Sequence, residues 1–237
     1  MAKLQRRAPK RYGVVEALIA AGGEIARTAL DVDATTLNAL CAAGFTEWGE
    51  RDFVRDTSHT KALLPSLSEA QQRALDQLRE GFSTKSVALL HGVTSSGKTE
   101  IYTHLIEERL SRGEDVLFLV PEISLTTQLV ERMRALFGDS VTVYHSKLTP
   151  QQRTRLYTDM LSSESGNFVV GARSALFLPY KKLGLVVVDE EHDSSYKQTE
   201  PNPRYNGRDA AIMLAAMSGA KCILGSATPS LESYANA

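Results

Sequence analysis

The sequence predicts an α/β fold in which helices cover both faces of a parallel β-sheet, with a smaller helical domain in front of it. Three observations support this prediction. From residue 67 onwards, short aliphatic or β-branched runs alternate with helical stretches. A glycine-containing loop follows the first run, and a cluster of carboxylates ends a later one. Parallel strands end at one edge of their sheet, which is where α/β proteins bind ligands.

The composition is that of an ordinary globular protein. The chain has 237 residues, of which 43% are hydrophobic, and its formal net charge is −1. Because the chain is not basic overall, any binding of nucleic acid must come from local patches. Cys41 and Cys222 lie far apart without metal-ligand spacing, so we expect no disulfide or zinc site and a reducing cytoplasm. No stretch has the length of a membrane span, so we expect no membrane partner.

Residues 1–60 predict a small winged-helix-like domain with a basic N-terminal arm. The basic residues of the arm are Lys3, Arg6, Arg7, Lys10 and Arg11. Helices are predicted at 12–21, 25–30 and 34–43, followed by an extended ribbon at 45–54. Asp33 is the expected N-cap of the third helix. Many small helical units share this order, and the third helix has no Arg or Lys, which favours a structural or protein-contact role over base reading.

A linker at 61–66 leads to a larger domain at 67–237. Its predicted strands are short and apolar, as buried strands are, and lie at 86–90, 115–120, 141–144, 168–171, 185–189 and 221–224. Helices are predicted between most of them, at 99–112, 126–137, 150–161 and 208–218. Thr149 and Pro150 suit the N-cap and the first position of the third of these helices.

The loop at 92–99 has the sequence GVTSSGKT, which matches G-x-x-x-x-G-K-[ST] between a predicted strand and a predicted helix. The backbone N–H groups of such a loop attract phosphate oxygens. The predicted nucleotide-binding residues are Gly92, Thr94, Ser95, Ser96, Gly97, Lys98 and Thr99. Lys98 brings a full charge to the β- and γ-phosphates, and Thr99 offers its hydroxyl to Mg²⁺. A chance match is the alternative, and the flanking strand and helix disfavour it.

The apolar strand predicted at 185–189 ends in the sequence DEEH. Asp189 is expected to hold Mg²⁺, and Glu190 to orient and polarise the attacking water. Solvated carboxylates at a strand end are the alternative, which the phosphate loop in the same sheet makes less attractive. Lys98, Asp189 and Glu190 are therefore the predicted catalytic residues, with ATP and Mg²⁺ as cofactors.

Other segments make the sequence similar to a known family of motors. They are LSEAQQRAL (67–75), VPEISLT (120–126), GARSALFLP (171–179), DEEHDSSYKQTE (189–200) and GSATPSLES (225–233). In this order they resemble the superfamily 2 helicases, and among them the replication-restart DNA helicases of bacteria. The resemblance implies a RecA-like first motor lobe of an ATP-dependent 3′-to-5′ DNA helicase in the bacterial cytoplasm. The implied partners are single-stranded and forked DNA, primosome proteins and single-strand DNA-binding protein.

The resemblance also implies roles for particular side chains. Gln71 corresponds to a glutamine that contacts adenine. Ser124, Thr126 and Ser174 lie in loops that can hold a sugar-phosphate chain without reading its sequence. Arg173 is expected to pair either with a phosphate or with the acidic site.

Two more segments are expected to couple DNA contact to ATP. Tyr196, Lys197 and Arg204 belong to a loop that can stack on bases and contact phosphates, or else pack over its own domain. Ser226 and Thr228 would link the carboxylates to the DNA-facing surface by hydrogen bonds, or else cap the helix that follows them.

The sequence departs from this family in two respects. Ser95 stands where the family usually has glycine, and a positive φ there would cost on the order of 1 kcal/mol and weaken phosphate binding. The chain also ends at Ala237, so we expect a fragment without the second motor lobe, its arginine finger or the zinc insertion. Such a fragment is expected to bind nucleotide but not to unwind a duplex. A non-catalytic DNA- or protein-binding module on a P-loop scaffold is the alternative, and a metabolic P-loop enzyme such as a kinase is a third.

Overall fold

The computed structural model describes residues 9–20, 30, 32–46, 62–93, 95–164 and 166–237. The chain divides into two compact units, Met1–Arg55 and Asp56–Ala237. None of the described helices is both long enough and apolar enough to cross a membrane.

The described part of the first unit consists of two packed helices, α1 (Pro9–Ala20) and α2 (Ala34–Ala42). Their core contains Val14, Val15, Leu37 and Leu40. Asp33 is the N-cap of α2, as predicted, and its side chain accepts a hydrogen bond of 2.7 Å from the backbone N–H of Thr36.

Most of the remaining predictions for the first unit lie outside the described residues. These are Lys3, Arg6 and Arg7 of the basic arm, the helix at 25–29 and the ribbon beyond residue 46. The winged-helix assignment therefore stays a prediction. The segment at 62–66 is described, and it is held to the second unit by hydrogen bonds from Ala62 N to Ala135 O (2.9 Å) and between His104 Nε2 and Pro65 O (2.9 Å).

The second unit contains a six-stranded parallel sheet, which confirms the predicted fold class. Its strands are β1 (Val87–His91), β2 (Asp115–Leu119), β3 (Val141–Tyr144), β4 (Phe168–Gly171), β5 (Leu183–Asp189) and β8 (Lys221–Ser226). Two short strands, β6 (Lys197–Gln198) and β7 (Tyr205–Asn206), form a separate antiparallel ribbon.

The helices of this unit are α3 (Glu69–Thr84), α4 (Lys98–Leu110), α5 (Thr127–Phe137), α6 (Pro150–Ser162), α7 (Gly207–Ser218) and α8 (Leu231–Ala235). The six sheet strands and the four helices predicted for this domain are confirmed to within two residues at each end. The sequence analysis did not predict α3. It begins with a capping box, in which Ser68 and Gln71 satisfy each other's backbone N–H groups.

The strand order β1-β8-β5-β2-β4-β3 decides which loops meet. In the register of the sheet, His91 of β1 pairs with Ser226, and Asp189 of β5 pairs with Gly225. The phosphate loop and the DEEH cluster therefore lie at the same edge of the sheet, one strand apart, with the end of β8 between them.

Two apolar cores cover the two faces of this sheet, because alternate strand residues point to opposite faces. Val116 and Phe118 belong to one core, which packs against α3, α4 and α5. Leu117 and Leu119 belong to the other, which packs against α7. Both faces of the central strands are buried, as their continuous apolar sequence predicted.

Charged side chains tie together the edge of the sheet opposite the phosphate loop. Asp115 is 2% exposed and accepts hydrogen bonds from Asn167 N (2.7 Å), Asn167 Nδ2 (2.9 Å), Lys181 N (2.8 Å) and Lys182 N (3.1 Å). Lys181, Lys182 and Lys221 each donate to a backbone carbonyl at or just beyond the C-terminal end of a helix. These contacts satisfy carbonyls that a helix leaves unpaired and favour its dipole.

The substitution Asp115→Asn is expected to destabilise the protein by about 1–3 kcal/mol, because an amide nitrogen would face N–H donors in a buried place. Urea unfolding measures this free energy. The control Asp76→Asn, whose carboxylate is 57% exposed, should change it by less than about 0.5 kcal/mol. Equal effects of the two substitutions would contradict this role of Asp115.

Candidate active site

The phosphate loop joins β1 to α4 in a left-handed turn. Gly97 has φ +81°, and a β-carbon there would stand 1.9 Å from Nε2 of Gln71. Gln71 Nε2 donates to Ser96 O at 3.2 Å, so α3 supports the loop directly. Thr94 lies outside the described residues.

Gln71 is already engaged by two partners within the protein. Its Oε1 accepts from Ser68 N (2.8 Å), and its Nε2 donates to the loop. One amide hydrogen and one lone pair remain for another partner. The predicted contact with adenine therefore stays a prediction.

Ser95 has φ +62°, which is the left-handed conformation that serine adopts at a cost. Residue 95 therefore has the positive φ that the sequence analysis named as the cause of strain, and glycine would adopt it without that strain. The Ser95 side chain is exposed, and the backbone of the loop, not the serine, sets the turn.

Lys98 is 8% exposed and turns back onto its own loop. Its Nζ donates to the carbonyls of Gly92 (2.8 Å) and Val93 (3.4 Å) and lies 3.9 Å from Glu190 Oε1. The ammonium is thus the positive group beside the acidic cluster. Thr99, the next residue, is partly buried in the first turn of α4.

Asp189 ends the central strand β5, where two phenols hold it. Tyr102 donates to Asp189 Oδ1 at 3.1 Å, and Tyr196 donates to the Asp189 backbone carbonyl at 2.7 Å. Burial, followed by the charge of Glu190, raises the pKa of Asp189, and Lys98 opposes this effect. Sequence analysis missed Tyr102, although its spacing of four residues from Lys98 places both on one helix face.

Glu190 has φ +48°, so the residue predicted to polarise water has a strained backbone. Backbone hydrogen bonds on either side hold this turn: Glu191 N donates to Gly225 O (3.0 Å), and Asp193 N donates to Glu190 O (2.8 Å). The geometry aims the Glu190 side chain towards Lys98 and therefore towards the phosphate loop.

The residues at this edge suit a magnesium nucleotide. Asp189 and Thr99 offer oxygen ligands, which Mg²⁺ prefers. Asp189 and Glu190 are two carboxylates with the ammonium of Lys98 beside them, and burial, followed by the charge of Glu190, raises the pKa of Asp189. A divalent cation would reverse that imbalance, and when bound it would supply charge neutralisation for phosphoryl transfer.

The carboxylate of Glu191 is buried in a network that sequence analysis did not find. It pairs with Arg208 Nη1 (3.1 Å) and accepts from Ser230 N (2.7 Å) and Ser233 Oγ (2.9 Å). Burial acts to raise the pKa of Glu191, but these donors hold it below its usual value. The network fastens the DEEH segment to the start of α7 and to α8. Because Glu191 lies inside the DEEH segment, nothing in the sequence distinguished its structural role from the roles predicted for Asp189 and Glu190.

Ser226 and Thr228 both contact the histidine of the DEEH segment. Ser226 Oγ lies 2.7 Å from His192 Nδ1, and Thr228 Oγ1 lies 3.2 Å from His192 Nε2. His192 Nδ1 in turn lies 3.7 Å from Glu190 Oε2. The helix after them is capped by Ser230, so the alternative of a capping role for Ser226 or Thr228 is wrong.

The loops after β2 and β4 contain the residues predicted to contact DNA. Thr126 caps α5 through its hydroxyl, which accepts from Leu129 N at 3.3 Å, and Ser124 and Ser174 are partly exposed. Arg173 donates to Ser195 O (3.0 Å) and lies over the ring of Tyr205 (5.8 Å). The predicted alternative of an ion pair between Arg173 and the acidic site is therefore wrong, because this guanidinium is directed to the ribbon.

Tyr196, Lys197 and Arg204 have different environments. The ring of Tyr196 is 1% exposed, so it is not available to stack on a base, and the alternative of packing within its own domain holds for this residue. Lys197 and Arg204 are exposed, and neither of their charged side-chain groups has a hydrogen-bond or ion-pair partner among the described residues. Of these three residues, Lys197 and Arg204 are therefore the ones whose side chains are free to contact phosphates.

Comparison with known proteins places this site in a familiar context. A model of the DEAD/DEAH box helicase family matches residues 68–237. The chain is 42% identical over 211 residues to the replication restart protein PriA of Synechocystis sp., covering 87% of this chain and 25% of that protein. It is 40% identical over 247 residues to the protein of the same name from Bacillus subtilis, covering 99% and 30% respectively.

Among solved structures, RecG bound to a three-way DNA junction has a TM-score of 0.50 to this chain. The two are 23% identical over 73% of this chain and 22% of the other, which is a likeness of fold. The chain spans less than a third of the length of both PriA relatives.

The substitution Ser95→Gly is expected to stabilise the phosphate loop by up to about 1 kcal/mol, because it removes a β-carbon from a residue with positive φ. The affinity for Mg-ATP, measured by equilibrium binding, should rise accordingly by up to about fivefold. Ser95→Ala keeps the β-carbon and is the control. A gain in affinity with alanine as large as with glycine would refute strain as the cause.

The substitution Glu191→Gln is expected to lower the unfolding free energy at pH 7 by about 2 kcal/mol. Because the folded-state pKa is below the unfolded one, the carboxylate stabilises the fold above the unfolded pKa of about 4.3. This stabilisation disappears as the pH falls through the folded-state pKa.

The variant should therefore unfold with a weaker dependence on pH below about 4.3, as measured by urea titrations at several pH values. Glu69→Gln, at a side chain that is 95% exposed, is the control. Parallel pH curves for wild type and Glu191→Gln would show that this carboxylate does not titrate abnormally.

Proposed function

Because the chain belongs to the DEAD/DEAH box helicase family, we propose that it binds Mg-ATP as the first motor lobe of a DNA helicase of bacterial replication restart. The observation that carries this proposal is the meeting of the phosphate loop, Asp189 and Glu190 at one sheet edge. In the whole motor, hydrolysis would drive movement along single-stranded DNA in the 3′-to-5′ direction, opening forked DNA.

Each predicted site residue of the phosphate loop and of the acidic cluster has a proposed role in binding or hydrolysing the nucleotide. Gly92, Thr94, Ser95, Ser96 and Gly97 supply the loop backbone, whose N–H groups suit phosphate oxygens. Lys98 exchanges the loop carbonyls for the β- and γ-phosphates. Glu190 orients the attacking water, while Thr99 and Asp189 are the ligands of the metal.

The DNA part of the proposal uses the adjoining loops of the same edge. Ser124, Thr126 and Ser174 offer hydroxyls and backbone groups to a sugar-phosphate chain. Lys197 and Arg204 offer charges that the protein itself does not pair among its described residues. Binding through such groups is independent of sequence and sensitive to salt.

Coupling between the two parts would run through His192. The Nδ1 atom of this ring contacts Ser226 and lies near Glu190, and its Nε2 atom contacts Thr228. Movement of the loop after β8 on DNA binding would therefore shift the water-polarising carboxylate. Arg173 and Tyr196 would transmit movement of the ribbon, since they contact Ser195 and Asp189 respectively.

The partners proposed for the whole motor are those expected of replication restart, the process after which its relatives are named. Single-stranded and forked DNA come first, followed by primosome proteins and single-strand DNA-binding protein, in the bacterial cytoplasm. The 237-residue polypeptide alone is proposed to bind nucleotide without separating strands, since phosphoryl transfer in such motors relies on an arginine from a second lobe. A non-catalytic module is the less favoured alternative, because it has no use for Lys98, Asp189 and Glu190 together.

Saturating Mg-ATP is expected to raise the melting temperature of the 237-residue chain by about 5–10 °C at a hundred times Kd. Lys98→Ala should abolish the rise, because it removes the charge that meets the phosphates. Glu190→Gln should keep the rise, since it spares binding. In the whole motor it should slow DNA-stimulated hydrolysis by about 100-fold, because it removes the polarising group.

Lys85→Ala, at the opposite edge of the sheet, is the control and should leave the rise intact. The proposal fails if wild type shows no Mg-ATP-dependent rise, or if Lys98→Ala behaves as wild type. A forked DNA duplex with ATP tests the second claim, and strand displacement by this polypeptide alone would contradict it.

A further inference from the structure

We propose that Tyr102 is a positioning residue for Mg²⁺ binding, which holds the Asp189 carboxylate in the orientation that the metal requires. This inference rests on the proposed function and deepens it, because it adds a residue behind the metal ligand. Tyr102 is 0% exposed and its hydroxyl donates to Asp189, so its action on a ligand passes through Asp189.

The geometry around the phenol is closely defined. Tyr102 lies on α4 one turn after Lys98, and its side chain is 0% exposed. Its ring packs edge-on against Phe118, with centroids 5.7 Å apart, and its hydroxyl donates to Asp189 Oδ1 at 3.1 Å.

The space for this hydroxyl is provided by a glycine. A β-carbon on Gly225 would stand 1.7 Å from the Tyr102 hydroxyl oxygen and 3.1 Å from Asp189 Oδ1. Gly225 does not have a positive φ, so close approach, and not backbone conformation, requires glycine there. A phenylalanine at position 102 would fill the same place in the core without bringing a hydroxyl close to Gly225. Packing of the ring alone therefore does not explain why residue 102 has a hydroxyl.

A second phenol fixes the other polar group of the same residue. Tyr196 donates to the Asp189 backbone carbonyl at 2.7 Å. Tyr102 belongs to the core on one face of the sheet and Tyr196 to the core on the other. Asp189 is therefore held from both faces, through its carboxylate and through its main chain.

The physical consequence is pre-organisation of a metal ligand. A carboxylate that rotates freely loses that freedom on binding, whereas a carboxylate held by a hydrogen bond has lost it already. Partners that orient a metal ligand typically change metal affinity by about 10–100-fold when removed. The hydroxyl of Tyr102 is expected to act within this range on Mg²⁺ and not on the nucleotide itself.

The test separates Mg²⁺ binding from nucleotide binding in the 237-residue chain. A fluorescent ATP analogue is titrated first in EDTA, and then at fixed nucleotide with increasing Mg²⁺. In Tyr102→Phe the Mg²⁺ concentration at half-effect should rise about tenfold. Its affinity for the analogue in EDTA and its melting temperature without ligand should stay close to those of wild type.

Tyr180→Phe is the control, because Tyr180 is a partly buried tyrosine whose hydroxyl donates to a backbone carbonyl, Ala175 O at 2.8 Å. It should leave the Mg²⁺ half-effect concentration unchanged. Tyr196→Phe is the second variant, and it should raise that concentration by a smaller factor, because it frees the main chain and not the carboxylate.

An unchanged Mg²⁺ half-effect concentration in Tyr102→Phe overturns the proposal. The proposal is also overturned if Tyr102→Phe weakens nucleotide binding equally in EDTA and in Mg²⁺, because this result assigns Tyr102 a structural role. The same conclusion follows if Tyr102→Phe does not fold and Tyr196→Phe leaves the Mg²⁺ half-effect concentration unchanged. Failure of the wild-type chain to bind Mg-ATP is a different result, which overturns the proposed function and this inference together.

Discussion

The pairing of β5 with β8 is the constraint on which the rest of the site depends. It sets Asp189 beside Gly225 and, through the pairing of β8 with β1, brings the phosphate loop to the same edge. Because both faces of these strands are buried in apolar cores, the register cannot slip without exposing them. The positions of Asp189 and Glu190 are therefore fixed by the packing of the whole sheet.

The site that this register creates is short of positive charge. Asp189 and Glu190 lie together with Lys98 as their positive neighbour, and Lys98 also bonds to its own loop. Glu191 is a separate case, because Arg208, the backbone N–H of Ser230 and the hydroxyl of Ser233 all contact its carboxylate. The DEEH segment thus contains one carboxylate that anchors the fold and two that we propose act on a cation and a water molecule.

Strain is concentrated at the same edge of the molecule. Among the described residues other than glycine, positive φ occurs at Ser95 and Glu190, one in each half of the site. Both turns are held by contacts from neighbouring elements, such as the bond from Gln71 to the phosphate loop and the bond from Glu191 to Gly225. The surrounding structure stabilises these conformations, which is the usual situation at sites that bind ligands.

The sequence by itself determined the α/β class, the six sheet strands and four of the helices of the second unit, and the meeting of the phosphate loop with Asp189 and Glu190. Local periodicity and the rule that parallel strands share an edge were sufficient for these predictions. It did not reveal α3, the burial of Tyr196 or the direction of Arg173, because these depend on contacts between residues distant in the chain. The partners of Asp189, Glu191 and His192 were likewise decided only by the tertiary structure, since Tyr102, Arg208 and Ser226 reach them from three different elements. Hydrogen bonds of this kind leave no period or spacing in a sequence, and they form only where packing brings the elements together.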